Sequence, residues 1–131
     1  MQKGEVYRNE RLIGTISKGL DGYQFEYKKD YLDDPRALPI SVRFPLRLET
    51  YTSPVLFPFF ANMLAEGSSK IIQCRELRID ESDLFTRLLK TTENNTIGSI
   101  TVKDVTVYRD TKISKLLNRF TVHSDEKGDQ A

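Results

Sequence analysis

The sequence predicts an α+β fold: a small antiparallel or barrel-like sheet, made from N-terminal strands plus C-terminal strands, packed against two to three helices. Three observations carry this. In the first third of the chain, apolar and polar residues alternate at the period of two that a half-buried strand needs. In the middle, apolar residues recur at the i, i+3, i+4 spacing of an amphipathic helix. After a turn at Asn94-Asn95, β-branched residues return in Ile97 to Val102 and Val105 to Tyr108 and bring the chain back to the sheet.

The elements follow in order. Glu5-Val6-Tyr7, the polar turn Arg8-Asn9-Glu10-Arg11 and Leu12 to Ile16 form a hairpin pattern. Asp21-Gly22 signals a turn before Tyr23, Phe25 and Tyr27, whose period of two places three rings on the core face, with Gln24, Glu26 and Lys28 opposite. Past Pro35 and Pro39, Ile40-Ser41-Val42-Arg43-Phe44 alternates as a fourth strand ended by Pro45. Ser53 then reads as an N-cap with Pro54 at the first helical position, and Leu56, Phe59, Phe60, Met63 and Leu64 give that helix an apolar stripe. Gly67 suits its C-terminal cap. Ser68 or Ser69 can cap a second helix through about Arg78, and Asp80 to Ser82 can start a third carrying Leu84, Phe85, Leu88 and Leu89. The domain is expected over residues 1–110. An amphipathic helix over 111–122, with Ile113, Leu116, Leu117 and Phe120 at helical spacing, and a polar disordered tail over 123–131 are expected to follow.

The 131 residues are enough for one domain that buries roughly two thirds of its unfolded surface, and a second domain is not expected at this size. Lys and Arg number 20 against 19 Asp and Glu, and the basic pairs Lys28-Lys29 and Arg75/Arg78 are interleaved with acids. Such an even balance argues against direct nucleic-acid binding, which concentrates basic residues on one face. The longest apolar-rich stretch, Val55 to Leu64, falls well short of the about 20 residues a bilayer span requires, so no membrane partner is expected. Cys74 is the only cysteine and no secretory leader pattern stands at the N-terminus, which makes a cytoplasmic location the simplest expectation.

Chemistry is sparse. The single histidine, His123, lies in the polar tail without neighbouring Cys or His ligands, so no metal site is expected. Cys74 has no histidine beside it and reads as a half-buried structural thiol rather than a nucleophile. Carboxylate pairs such as Asp33-Asp34 and Glu81/Asp83 read as solvated caps and turns. The glycines are scattered, with neither a Walker pattern nor G-x-G-x-x-G, so no nucleotide or other cofactor is expected. The chain reads as a non-enzyme that acts by binding a macromolecule. Its aromatic segment is the most informative. If Phe57, Phe59 and Phe60 share a helix, successive residues lie about 100° apart, so Phe57 is expected to sit off the core face as a contact ring.

Several spaced motifs then combine into one resemblance. They are Gly14 after a hairpin, Phe25-x-Tyr27, Tyr31-Leu32, Pro39-Ile40-Ser41-Val42-x-Phe44-Pro45-Leu46, Phe59-Phe60-x-Asn62-x-Leu64-x-Glu66-Gly67, Asp83-x-Phe85-x-x-Leu88-Leu89 and Ile97-Gly98-Ser99-Ile100. In order and spacing, from about Glu5 to Val102, the chain resembles the N-terminal subdomain of HipA-type serine/threonine kinases, the toxins of bacterial toxin–antitoxin systems. In full-length members a kinase body follows this subdomain. The resemblance therefore implies a separately encoded, HipS-like antitoxin of a HipBST-type system, which binds and neutralises a HipT- or HipA-like kinase, with a HipB-like helix-turn-helix DNA-binding protein as a second candidate partner. A non-catalytic activating or assembly subunit of a split kinase, or a co-repressor acting through a DNA-binding partner, are the alternatives.

The resemblance also implies where the partner sits. The segment Leu64 to Ser69 is expected to face the kinase active-site side, so Phe57, Leu64, Glu66, Gly67, Ser68 and Ser69 are the first candidate contacts. Ile113, Leu116, Leu117 and Phe120 are the second, either on a partner or packed back on this domain. Two positions depart from the family pattern. Ala65 stands where proline is usual, and Ser68 stands where a large residue, often tryptophan, is frequent. The second departure argues against an inhibition that plugs the kinase active site with an aromatic side chain.

Overall fold

The computed structural model describes residues 2–91 and 99–106. Strands β1 (Gln2–Arg8), β2 (Arg11–Gly19) and β3 (Gly22–Tyr27) form an antiparallel meander. A one-turn helix α1 (Lys29–Leu32) and a long irregular stretch lead to β4 (Tyr51–Ser53), which pairs with β3. The helices α2 (Pro58–Ala61), α3 (Gly67–Leu77) and α4 (Leu84–Thr91) follow, and β5 (Ile100–Asp104) returns to pair antiparallel with β1. The sheet order is β4-β3-β2-β1-β5. This is the α+β architecture expected from the sequence.

A β-bulge decides how the sheet buries its apolar residues. Val6 faces Gly14 while Tyr7 faces Leu12, so Ile13 is an extra residue on β2. Ile13 and Ile16 are three apart and would lie on opposite faces of a regular strand, yet both are fully buried, because the bulge resets the alternation between them. On β3 the expected alternation holds: Phe25 and Tyr27 are buried, Tyr23 is half-buried against the core, and Gln24, Glu26 and Lys28 face solvent. α4 lies over the same face. A Cβ on Gly4 would come within 2.8 Å of Leu89 Cδ2 and 2.7 Å of Val102 Cγ1, so glycine in β1 is what lets the helix approach the sheet.

Two expected elements differ. Ile40 to Phe44 is not a strand. Its backbone closes a turn, with Phe44 N–H donating to Ser41 O at 3.0 Å, and the Tyr27 hydroxyl accepts from Ile40 N at 3.1 Å and donates to Phe44 O. One buried hydroxyl thus pairs with the backbone groups a sheet partner would otherwise satisfy. Ile40 and Phe44 turn inward, and Val42 between them is 92% exposed. Burial also pushes the Tyr27 phenol up to about 12, although the hydrogen bond from Ile40 pulls the other way.

The helix expected from Ser53 to Leu64 is the second correction. Ser53 ends strand β4, and the helix is only the single turn α2, with Phe57 as its N-cap and Pro58, not Pro54, at its first position. Gly22 explains the choice. It sits at φ 130 next to Tyr23, the partner of Ser53, and a Cβ there would meet Ser53 O at 2.4 Å, so β4 closes on β3 where a longer helix would have to begin. The third expected helix, with Leu84, Phe85, Leu88 and Leu89, is present as α4. Residues 97, 98, 107 and 108 of the two C-terminal segments lie outside the described residues, as do His123 and the expected 111–122 helix and 123–131 tail.

Candidate functional site

The candidate contact residues do not all share one surface. Phe57 is only 7% exposed, edge-on to Phe44 at 5.2 Å between ring centres and beside Phe60. Its expected exposure is overturned for a simple reason. Phe57 precedes α2 with extended backbone (φ −56, ψ 134), so the angular argument that turned it outward does not apply. Leu64 is also buried, in the same core cluster. Glu66, Gly67, Ser68 and Ser69 remain, all four exposed and consecutive.

These four residues form the start of α3 rather than the end of the preceding helix. Gly67 does not cap α2, which ends at Ala61; it is the first residue of α3, with Glu66 as N-cap. Its φ of 61 is left-handed, and a Cβ there would meet nothing within 4 Å, so glycine serves the sharp entry of the chain and not a close contact. The reversal matters electrostatically. A helix start presents unpaired N–H donors and the positive end of the helix dipole, where a helix end would present carbonyls. No side chain caps the helix, and among the described residues the side chains of Glu66, Ser68 and Ser69 make no hydrogen bond. A polar, uncommitted surface results.

What holds this surface in place is Arg87, which sequence reasoning passed over. It lies on α4, is 5% exposed, and donates from Nη2 to Ala65 O at 2.8 Å and from Nη1 to Glu81 O at 3.1 Å. A buried guanidinium is tolerable because its donors are spent on carbonyls. One carbonyl lies just before the Glu66–Ser69 surface and the other in the loop that joins α3 to α4, so a single side chain ties the entry of α3 and the loop after it to α4. Its only trace in the sequence is an arginine at position 87 beside Leu88 and Leu89, on a helix whose other inward residues, Thr91 apart, are apolar.

α3 itself packs lightly. Over its eleven residues Cys74 is the one buried side chain, a free thiol as the sequence suggests, while Ile71, Ile72 and Leu77 are exposed. The helix ends with Ile79 N–H on Cys74 O at 2.9 Å and Arg78 N–H on Arg75 O at 3.3 Å, the paired bonds of a Schellman motif, with Arg78 in the left-handed position that glycine usually takes.

Elsewhere the charges serve local structure. Arg11 pairs with Asp34 at 2.6 Å and lies over the Tyr31 ring, and the Arg11 hydrogen bond, followed by the Arg36 N–H, holds the Asp34 carboxyl below its ordinary range. Burial would raise Asp104, but hydrogen bonds from Lys90 and Thr106 bring it below its ordinary value. Among the described residues no group of three or more His, Cys, Asp or Glu converges as a metal site, and no helix is long and apolar enough to cross a membrane. Ile113, Leu116, Leu117 and Phe120 lie outside the described residues.

The comparisons with known proteins point one way. Residues 4–103 match the family model described as HipA N-terminal domain. A solved structure, the N-terminal domain of HipA toxin, superposes with a TM-score of 0.63 at 29% identity, covering 82% of this chain and 96% of that one. An uncharacterized protein of Haemophilus influenzae is 33% identical over 79% of this chain and 93% of its own length. A putative kinase of Sinorhizobium fredii is 29% identical over 63% of this chain, which spans about a fifth (20%) of that protein.

Proposed function

Because the chain belongs to the HipA N-terminal domain family, we propose that it is an antitoxin, a non-catalytic protein that binds and neutralises a HipA-like serine/threonine kinase toxin. One observation carries the reading. The same domain makes up nearly all of one relative and about a fifth of another that is a putative kinase. A domain used both as nearly a whole protein and as part of a kinase is suited to dock on a separately encoded kinase body. The contact we assign to this docking is Glu66 to Ser69, an exposed run of uncommitted N–H, hydroxyl and carboxylate groups held by Arg87.

Inhibition then requires that this surface bind one state of the kinase more tightly than its active state, since only differential affinity shifts an equilibrium. Ser68 is too small to fill an active-site cleft, so the proposed mode is a surface clamp that holds an inactive arrangement. A HipB-like DNA-binding protein would join such a complex through the kinase or this chain, in the cytoplasm.

The test pairs growth with chemistry. Cells expressing the HipA-like kinase of the same genome should be arrested without this chain and grow with it, and kinase autophosphorylation should fall as the purified chain is added. Continued arrest with unchanged or higher autophosphorylation would overturn the antitoxin reading in favour of an activating or assembly subunit.

A further inference from the structure

Resting on the kinase-docking reading, we propose that the outward face of α3 is the apolar half of the docking surface, with Ser68, Ile71, Ile72 and Arg75 laid on an apolar patch of the kinase body. At about 100° per residue, these four positions fall within one stripe, and Cys74 and Lys70 lie towards the other side. Ile71 is 43% and Ile72 56% exposed, whereas Cys74 is the helix's single buried residue. The stripe begins at Ser68, so it continues the Glu66–Ser69 surface without a gap.

The energetics of α3 make this face unusual. An eleven-residue helix is marginal in water by itself and normally owes its stability to an apolar stripe packed on the domain. α3 has no such inward stripe. Two adjacent isoleucines, with poor helix propensity and β-branched side chains, are placed in water instead. A helix whose entry and following loop are tied down by Arg87, yet which is buried through one residue, is built to present a face.

The occupant follows from the relatives. In the putative kinase of Sinorhizobium fredii this domain is about a fifth of the chain, so the remaining kinase polypeptide is available to cover a face that stands open here. A kinase body therefore accounts for the exposed stripe without calling on a further partner.

The experiment compares the full chain with its I71D/I72D double variant, using as probe the purified HipA-like kinase body of the same genome without a copy of this domain. Circular dichroism and thermal melting should be nearly the same for both, because neither isoleucine is in the core. The double variant should bind the kinase at least about thirtyfold more weakly, as expected for loss of a central apolar contact. Leu77→Asp, on the other side of α3, should change binding by less than about threefold. Equal binding by wild type and double variant would overturn this inference and leave the antitoxin reading standing. Failure of the wild-type chain to bind the kinase would overturn both. A wild-type dimer in sedimentation that I71D/I72D disperses would assign the face to a second copy and likewise overturn the proposal.

Discussion

α3 and α4 are neighbouring helices with opposite uses. α4, of eight residues, buries Phe85, Arg87, Leu88, Leu89 and Thr91, while α3, of eleven, buries only Cys74. Length and helical propensity do not explain this contrast, but placement does. α4 lies over β1 where Gly4 admits it, and among the elements α3 packs chiefly on α4. One helix builds the fold and the other is carried by it.

The sharpest way to break this contrast is to truncate one side chain on each helix. Phe85→Ala should destabilise the domain by about 3–5 kcal/mol in chemical denaturation, since it empties a fully buried site. Ile72→Ala should change stability by less than about 0.5 kcal/mol, in line with a surface position. Similar losses at both sites would contradict the division of labour.

Arg87→Met comes next in size. It keeps the aliphatic stem but leaves the Ala65 and Glu81 carbonyls without their donor, and should cost about 2 kcal/mol. Amide exchange from residue 65 to 69 should quicken by more than that of β1 to β3. If all regions quicken equally, Arg87 supports the whole domain rather than the α3 entry.

Tyr27→Phe tests the carried side against the sheet. Loss of the two hydroxyl bonds to Ile40 and Phe44 should cost about 1 kcal/mol at neutral pH. The folded-state value is raised, so the contribution of the neutral phenol is fully present below the unfolded value near 10 and is lost as pH climbs towards about 12. Wild-type stability should therefore fall across that window more steeply than that of Tyr27→Phe. Parallel alkaline curves would show that the phenol ionises alike in both states.

The smallest effect should be a gain. Arg78→Gly relieves a left-handed backbone at the Schellman position of α3 and should add about 0.5–1 kcal/mol, read as a higher denaturation midpoint.

The same contrast explains what was legible beforehand. α4 and β3 show their burial in the spacing of Phe85, Leu88 and Leu89 and of Tyr23, Phe25 and Tyr27, because regular elements on one core repeat at a fixed period. Ile40 to Phe44 has that period by coincidence, and a single hydroxyl from Tyr27 turns it into a loop. Phe57 is misjudged because the helix starts at Pro58 rather than Pro54, which leaves Phe57 before it. The Glu66–Ser69 run is legible as a candidate surface through family resemblance, but its polarity is not, since a glycine at φ 61 begins a helix where glycine more often ends one. Arg87 leaves almost no trace, because its partners are backbone carbonyls that carry no residue identity.

The most direct test of the central claim is hydrogen exchange of the full chain alone and with saturating HipA-like kinase. Residues 66–77 should gain protection on binding, while α4 and β1 to β3, already protected, should change little. Protection gained instead around Leu38 to Val55, with none in 66–77, would contradict the account and move the docking surface to that segment.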